Sequence, residues 1–142
     1  MSTAATPEAR LIALVNLAGD VRAVGGQQDG SPWRIAIRHP RAPEPAAIAW
    51  LELTDGAIAT SGDYERHFEV DGRRYCHLID ARTGWPVSAW QSISVAGPLA
   101  VVAGSCSTIA MLLEHDAEPF LAGQGVRWLG VDGEGRVRGS AA

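Results

Sequence analysis

The sequence contains no lysine: its twelve basic residues are all arginine, and sixteen acidic residues leave a net charge of −4. A mildly acidic chain with scattered arginines lacks the concentrated basic face that general nucleic-acid binding requires. Aromatic residues are also few, at 6%, yet 46% of the 142 residues are hydrophobic and 20% are charged. These proportions suffice for a buried core, and the length is that of one domain of about 100–150 residues.

Cysteines and long apolar runs are scarce as well. Cys76 and Cys106 could form one bridge, but two free thiols are the commoner arrangement where no secretory signal is visible. Residues 1–10 have neither the basic nor the apolar region of a signal peptide, and no apolar run approaches the ~20 residues that span a bilayer. We therefore expect a cytoplasmic protein with no membrane partner.

Motifs of several common enzyme classes are missing. No histidine–cysteine cluster has the spacing of a zinc site, and there is neither a P-loop nor a G-x-G-x-x-G sequence. Cys76 precedes His77, but neighbouring residues of a strand point to opposite faces, which argues against a thiol–imidazole pair. The remaining histidines have no supporting neighbours in the sequence and are interpreted as surface residues: His39, His67 and His115.

The pattern that is present predicts an α+β fold with a mainly antiparallel sheet. Strand-like runs cover residues 11–17, 33–38, 48–53, 68–70, 73–79 and 126–131, and residues 21–24 either extend the first run or pair back onto it. Asp-Gly pairs follow three of these runs, at residues 55–56, 71–72 and 132–133. Because Asp-Gly favours tight hairpin turns, these pairs favour antiparallel pairing over parallel winding.

Two helices are expected to pack on this sheet. A long helix over residues 99–114 begins at Pro98 and presents one apolar stripe, formed by Val102, Cys106, Ile109 and Leu113. A short helix covers residues 118–122 and ends near Gly123. We expect one domain over residues 10–139, preceded by a disordered tail over residues 1–9.

Three polar segments interrupt this scaffold. Asn16, Gly19 and Asp20 follow an apolar run that reads as a buried strand, where a glycine allows close approach of a ligand; the alternative is an ordinary Asx-stabilised turn. Ser61, Gly62 and Arg66 combine hydroxyl, backbone and guanidinium donors suited to a phosphate. The alternative for that segment is a strand end with a solvated arginine.

The third segment, HLIDARTG, begins with His77 and includes Asp80 and Thr83. A histidine at the entrance to a polar loop can donate to a phosphate or move a proton near neutral pH. The alternative is a partly buried histidine that is hydrogen-bonded to backbone.

Together, the segments resemble the C-terminal half of the FAD:protein FMN transferase family, also called ApbE. The family patterns N-L-G-G-D, A-T-S-G-D-Y-E-R, H-I-I-D-P-x-T-G and A-D-A-L-A/S-T-A correspond here to NLAGD, ATSGDYER, HLIDARTG and AGSCSTI, in the same order. The resemblance implies an ApbE-like domain that binds FAD with Mg²⁺. A threonine hydroxyl of an acceptor flavoprotein would attack the phosphorus nearest riboflavin, so that FMN is transferred and AMP leaves.

The resemblance also implies roles for particular residues. His77 corresponds to the family histidine near the diphosphate and is the catalytic candidate. Thr108 corresponds to a threonine of the metal-site helix. The FAD-binding candidates are Asn16, Gly19, Asp20, Ser61, Gly62, Arg66, Asp80 and Thr83.

The chain departs from the family pattern at three positions and in length. Gly104 replaces the metal-binding aspartate, Ala18 replaces a glycine and Ala81 replaces a proline. A glycine offers no anionic oxygen to Mg²⁺, so another carboxylate must serve if the metal is retained, with Asp20, Asp63 and Asp80 as candidates.

Family members are roughly twice as long, so we expect a truncated domain whose site is completed by a complementary chain or a homo-oligomer. Exposed apolar surface on such a domain predicts association. Two alternatives remain open from the sequence: a non-catalytic flavin- or nucleotide-binding module, and an interaction subunit without ligand. Many family relatives act in the periplasm.

Overall fold

The computed structural model describes residues 11–43 and 46–140, so the predicted tail over residues 1–9 lies outside the described part. Its strands are β1 (Ala13–Leu17), β2 (Asp20–Val24), β3 (Trp33–Arg38), β4 (Ala47–Leu53), β5 (Gly56–Gly62), β6 (His67–Val70), β7 (Arg73–Cys76), β8 (Trp90–Gly97), β9 (Arg127–Asp132) and β10 (Val137–Gly139). The helices are α1 (Ala100–Leu113) and α2 (Ala117–Gln124), joined by a 3-10 turn, Glu114–Asp116.

The strands form an antiparallel six-stranded sheet in the order β1-β2-β5-β8-β9-β10, together with two separate hairpins, β3–β4 and β6–β7. The predicted α+β fold with a mainly antiparallel sheet and one long helix is confirmed. Among the described residues, no helix combines the length and the apolar character needed to cross a membrane.

Two apolar clusters lie on opposite faces of the sheet. The larger packs α1 and α2 against inward-facing residues of β5, β8 and β9, with Ile93, Val95, Met111 and Leu121 fully buried. The smaller joins Ile58 and Ala96 of the sheet to Leu53 and the partly buried residues of the β3–β4 hairpin. Side chains of a strand alternate between faces, so successive residues of β5 serve different layers.

The buried stripe of α1 differs from the predicted one. The buried residues are Ala103, Cys106, Ser107, Ala110 and Met111, whereas Ile109 is exposed. Small side chains let the helix approach the sheet closely, as the 3.8 Å between the Ala59 Cβ and a Cβ built on Gly104 indicates. Of the predicted stripe, Cys106 is buried and Val102 packs against the core, so the prediction, which followed large side chains, was wrong at Ile109 and omitted the small buried residues.

The ends of the helices also differ slightly from the prediction. Leu99 is the N-cap of α1, which places Pro98 outside the helix, and the short helix runs on past Gly123 to Gln124. Gly125 ends it with a φ of 64°, a left-handed conformation that glycine adopts without steric strain.

The first apolar run forms an edge strand and not a buried one. Strand β1 pairs only with β2 in the described part of the chain, and its large side chains remain exposed, Leu17 at 72%. Residues 21–24 pair back onto β1, the second of the two predicted possibilities. Three strands were not predicted: β5, β8, which is the most buried, and β10. Their sequences are rich in serine, glycine, alanine or arginine.

The three Asp-Gly pairs have different roles. Asp71 and Gly72 have φ values of 51° and 74° and form the predicted tight turn between β6 and β7. The Asp132–Gly133 pair begins the turn from β9 to β10. The prediction of a hairpin at Asp55–Gly56 is wrong, since β4 and β5 belong to different sheets.

Candidate functional site

The end of β5 forms one wall of a polar hollow of about 290 Å³, here called the Arg66–His77 hollow. Helix α1 supplies the facing wall, and the segment after β7 closes one side. Its lining residues are Thr60, Ser61, Gly62, Glu65, Arg66, His77, Leu78 and Thr108. Five sequence-predicted site residues therefore come together here, although the segments that carry them are up to 47 positions apart.

The backbone of β5 has an open edge beside this hollow. The last residue of β5 paired with β2 is Ile58, opposite Val21, while pairing with β8 continues to Gly62. Over Thr60–Gly62, the side of β5 that faces away from β8 is therefore not paired with a strand in the described residues. Backbone donors at such an edge are available to a ligand.

Gly62 is required by the packing of its neighbour Tyr64. A Cβ built on Gly62 would lie 2.4 Å from a ring carbon of Tyr64 and 3.1 Å from the carbonyl oxygen of Gln91. Arg38 stacks on the same ring, with its guanidinium carbon 5.2 Å from the ring centroid. Burial, followed by the nearby charge of Glu65, raises the pKa of the Tyr64 phenol and keeps it neutral.

Three hydroxyl groups on the α1 side form a hydrogen-bonded chain. The Ser61 Oγ lies 2.9 Å from the Ser107 Oγ and 2.9 Å from the Thr108 Oγ1. Ser107 donates to the Gly104 carbonyl oxygen at 3.0 Å, because a carbonyl can only accept. A hydroxyl has one hydrogen, so Ser61 donates to Ser107 and Thr108 donates to Ser61. The chain ends with the Thr108 oxygen as an acceptor.

His77 is exposed and is held through one ring nitrogen. Its Nδ1 lies 3.2 Å from the Arg66 carbonyl oxygen, which also accepts the His77 backbone N–H at 3.1 Å. Since that carbonyl only accepts, Nδ1 carries the hydrogen of the neutral ring and Nε2 is an acceptor. Strand β7 stops at Cys76, one residue earlier than this contact, so the predicted strand over residues 73–79 is too long.

Two acidic residues of the ATSGDYER segment are paired with arginines. Asp63 accepts a bidentate ion pair from Arg41, with contacts of 2.7 and 2.6 Å. Glu65 accepts from Arg38 at 2.9 Å. In contrast, the Arg66 guanidinium has no ion-pair or hydrogen-bond partner within the described ranges. Arg66 is thus a cation at the hollow whose charge is not neutralised by a neighbouring carboxylate.

Asn16 and Gly19 line a second hollow, of about 280 Å³, here called the Asn16–Gly19 hollow. Asn16 is in register with Val21 and Val21 with Ile58, so this hollow lies on the β3–β4 face of the sheet. The Arg66–His77 hollow lies on the α1 face, and Thr60 lines both. The structure therefore divides seven of the ten predicted residues between two neighbouring hollows.

The turn at the end of β1 explains the NLAGD segment. Gly19 donates its N–H to the Asn16 Oδ1 at 3.0 Å, which is the Asx bond that the alternative interpretation anticipated. Ala18 has a φ of 51°, a conformation that is strained for a residue with a Cβ and that explains a glycine in the family pattern. Asp20 is exposed at the start of β2 and lines neither hollow.

Asp80 and Thr83 organise a turn and do not line either hollow. The Asp80 carboxylate accepts from the Arg82 backbone N–H at 2.9 Å and from its guanidinium at 3.0 Å. The Arg82 guanidinium, and then the Arg82 N–H, lower the pKa of the Asp80 carboxyl. The Thr83 Oγ1 accepts the Trp85 N–H at 3.2 Å, while Ala81 is exposed in the same turn.

The donor set does not fit a bound Mg²⁺. Within the described residues, no group of three or more histidine, cysteine, aspartate or glutamate side chains is arranged to hold a metal. Gly104 has no side chain, and Thr108 offers one neutral oxygen. Two of the three predicted replacement carboxylates, Asp63 and Asp80, are engaged by arginines, and the third, Asp20, is exposed at the start of β2 and lines neither hollow.

The other sulfur and imidazole groups have structural partners. Cys76 and Cys106 are both free and buried, as expected, and burial raises the pKa of the Cys76 thiol. His39 was interpreted as a surface residue, but its ring is partly buried and its Nδ1 accepts two backbone N–H groups of the loop that follows, each at 3.1 Å. His67 contacts the Tyr64 carbonyl oxygen at 2.9 Å.

Sequence reasoning missed Ser107, Glu65 and Thr60. Ser107 sits beside Thr108 in AGSCSTI and is fully buried, and the one available signal was the hydroxyl retained at a helix position that faces the sheet. A further polar hollow of about 590 Å³ lies away from these residues, between Glu114 and Asp132. Two of its four lining carboxylates are engaged inside the protein: Glu114 accepts the Ser88 N–H at 2.7 Å, and Asp132 accepts from Arg136 at 2.9 Å.

The sequence matches a known family. The profile described as the ApbE family matches residues 10–128. The FAD:protein FMN transferase of Haemophilus influenzae is 38% identical over 105 residues, which cover 72% of this chain and 30% of the relative. The FAD:protein FMN transferase of Escherichia coli K12 is 37% identical over 101 residues, which cover 70% of this chain and 29% of the relative.

Solved structures agree with the sequence matches. The ApbE protein of Thermotoga maritima superimposes with a TM-score of 0.83 at 34% identity, over 91% of this chain and 42% of that one. The apo flavinyl transferase ApbE of Pseudomonas stutzeri gives 0.71 at 34% identity, over 89% and 40%. The fold and the motifs define a flavin transferase-type domain. The chain belongs to the ApbE family, and it spans about a third of the curated relatives that it matches and two fifths of the solved ones.

Proposed function

We propose that this chain binds FAD and takes part in moving FMN from FAD to a threonine of an acceptor protein. One observation carries the proposal: Arg66, which has no carboxylate partner among the described residues, and His77, whose Nε2 is an acceptor, line the same hollow beside the unpaired backbone edge of β5. A guanidinium and open backbone N–H groups suit the oxygens of a diphosphate, and the imidazole acceptor suits the hydroxyl of an attacking threonine. The names of the similar proteins, FAD:protein FMN transferase, support the same reading.

In this proposal, each side chain has a separate task in phosphoryl-type transfer. The Arg66 guanidinium donates to non-bridging oxygens of the FAD diphosphate, where a planar fork matches the oxygen geometry. His77 Nε2 accepts the proton of the threonine hydroxyl as its oxygen bonds to the phosphorus nearest riboflavin. The phosphoanhydride bond then breaks, and AMP leaves with the bonding electron pair.

The binding surface for the whole dinucleotide extends beyond the Arg66–His77 hollow. Each of the two hollows, at about 290 and 280 Å³, lies at the lower limit of the ~300–1,000 Å³ typical of ligand sites. They meet at Thr60, beside the unpaired edge of β5. We propose that FAD passes over this edge and that a complementary chain or a second copy covers it, with Asn16 and Gly19 in contact with one arm.

Transfer is tested by incubating the chain with FAD and a threonine-bearing acceptor flavoprotein and following the acceptor mass and AMP release. Replacing His77 by alanine should reduce the transfer rate by about 10²–10⁴-fold, the contribution of a general base, with a small effect on the KM for FAD. His115→Ala is the matched control, because His115 is exposed and lies outside the hollow. Equal rates for the His77 and His115 variants would contradict the assigned role.

Gly104 supports a second candidate function. In the family pattern, an aspartate at this position brings an anionic metal ligand to the helix, whereas glycine has no side chain. In this alternative, the chain binds FAD but does not cleave it. FAD would then remain with the protein through desalting, and no AMP would appear at any acceptor concentration. Release of AMP together with modified acceptor would exclude this alternative.

A further inference from the structure

Binding a diphosphate requires positive charge or strong donors close to its oxygens. In many phosphoryl-transfer sites a divalent cation held by carboxylates supplies that charge. In the Arg66–His77 hollow, one carboxylate is present, and Glu65 already accepts from Arg38 at 2.9 Å. The positive charge that binds the diphosphate must therefore come from a protein side chain.

The helix side of the hollow provides few oxygen ligands for a cation. The order of donation in the hydroxyl chain uses the hydrogens of Ser61, Ser107 and Thr108 inside the protein. Among the residues of α1 that line the hollow, a metal ion would meet the neutral Thr108 oxygen and no carboxylate. Oxygen sites for divalent cations draw their affinity from anionic carboxylates, so this oxygen alone is a weak anchor.

Position 104 is open as well as uncharged. A Cβ built on Gly104 has one neighbour within 4 Å, the Ala59 Cβ at 3.8 Å, so the position itself is not tightly packed. Gly104 lies one helical turn before Thr108, on the part of α1 that faces β5. The helix therefore presents no side chain at position 104, one turn before the Thr108 that lines the hollow.

Arg66 supplies the charge that the helix does not. Arg66 lines the hollow and has no ion-pair partner in residues 11–43 and 46–140, unlike Arg38 and Arg41, which contact Glu65 and Asp63. An arginine left free of carboxylates at a polar hollow is available to an anion. A hydrogen bond to a charged group strengthens binding by roughly 10–100-fold, enough to make one arginine decisive for binding.

We infer that this chain binds the diphosphate of FAD without a divalent cation, with Arg66 carrying the charge and with no carboxylate at position 104 to repel the phosphate. The inference rests on the proposed FAD binding and adds that the metal dependence implied by the family pattern is absent from this chain. Position 104 then decides between the two modes of binding. A carboxylate there would block the anion unless a cation accompanied it.

FAD binding to the 142-residue chain is measured by flavin fluorescence anisotropy, with excess Mg²⁺ or with EDTA at matched ionic strength. We expect the wild-type dissociation constant to be equal in the two conditions within about twofold, a difference of less than ~0.5 kcal/mol. Arg66→Ala should weaken binding at least about tenfold in both. Arg73→Ala, an exposed arginine of the β6–β7 hairpin, is the control and should bind like wild type.

Two variants at position 104 sharpen the test. Gly104→Asp should bind FAD more weakly in EDTA and recover about tenfold or more when Mg²⁺ is added. Gly104→Asn has the same shape without the charge and should show no response to Mg²⁺. Direct titration of Mn²⁺ by electron paramagnetic resonance, with FAD present, should detect a bound ion in Gly104→Asp and none in the wild type.

The possible outcomes separate the inference from the proposed function. If wild-type affinity rises tenfold or more with Mg²⁺, the inference is overturned and the proposed function stands. If the wild type binds FAD in neither condition, both are overturned. This comparison needs no substitution, so it remains decisive even if a variant at position 104 fails to fold.

Discussion

Strands β8 and β1 belong to the same sheet but have opposite environments. Strand β8 lies between β5 and β9 under α1, and its side chains are buried from Trp90 to Ala96. Strand β1 has the more apolar sequence, ALVNL, yet four of its five residues are exposed. Position within the sheet therefore decides burial here, and the hydropathy of a strand does not.

The difference has consequences for stability and for association. The β8 layer packs on both faces, so each side chain there removes apolar surface from water, at roughly 25 cal/mol per Å². Strand β1 also presents backbone groups with no partner strand in the described part of the chain, next to exposed Leu14 and Leu17. An apolar edge of this kind is a surface for pairing with another chain.

The largest expected effect compares two leucines, one on each side of this contrast. Leu121 of α2 is fully buried in the larger cluster, and Leu17 of β1 is 72% exposed. Leu121→Ala should lower the free energy of unfolding by about 2–5 kcal/mol, because it removes a buried side chain and leaves a cavity. Leu17→Ala should change it by less than ~0.5 kcal/mol. Urea denaturation followed by tryptophan fluorescence measures both, and similar values would refute the contrast.

The second prediction compares two glycines of the candidate site. Gly62→Ala should destabilise the fold by about 1–3 kcal/mol, since the new Cβ would lie 2.4 Å from the Tyr64 ring and force it to move. Gly104→Ala meets only the Ala59 Cβ, at 3.8 Å, and should stabilise α1 by about 0.5–1 kcal/mol. Thermal unfolding monitored by circular dichroism distinguishes them; a destabilising Gly104→Ala would show that the space is already filled.

Much of the outer scaffold could be predicted from the sequence. Strand β3 was predicted from its alternating apolar residues, and the β6–β7 hairpin from its turn-forming pair Asp71–Gly72. Helix α1 was located to within one residue at each end. Strands β5 and β8 could not be predicted from the sequence, because AIATSG and WQSISVAG resemble polar loop sequences. Their small side chains are explained only by the layers above and below them, which the sequence does not reveal.

The candidate site was predictable in its residues but not in its arrangement. The motifs identified Ser61, Arg66 and His77, which line one hollow together. Asn16 belongs to the opposite face, because register with Val21 and Ile58 places it there. The periodicity of one strand does not show on which face of the sheet the side chains of another strand lie. Asp80 was a separate case, because its carboxylate accepts from the Arg82 guanidinium within its own turn.

The third prediction concerns the exposed edge itself. The chain should self-associate in a concentration-dependent way through β1, as the exposed apolar surface already suggested from the sequence. Val15→Lys places a charge in the middle of this strand and should shift the molecule toward the monomer without lowering its thermal stability. Sedimentation velocity over a range of concentrations measures the change. Arg73→Lys, on the β6–β7 hairpin, is the control and should leave the association unchanged.

The smallest expected effect is the pH dependence of the turn that contains Asp80. The Arg82 guanidinium lowers the pKa of Asp80 below its ordinary value of about 3.9, so the folded state favours the ionised carboxylate. The resulting stability is fully present above pH ~4 and is lost as the pH falls through the lowered folded-state pKa. Asp80→Asn should therefore unfold at a lower temperature than wild type at pH 7, and the difference should shrink in acid.

The control is Asp71→Asn, in an exposed hairpin turn where asparagine is equally suitable. Its unfolding temperature should not converge with that of wild type in acid. Because Arg82 is largely exposed, salt screens the pair and the difference at pH 7 should also decrease at high ionic strength.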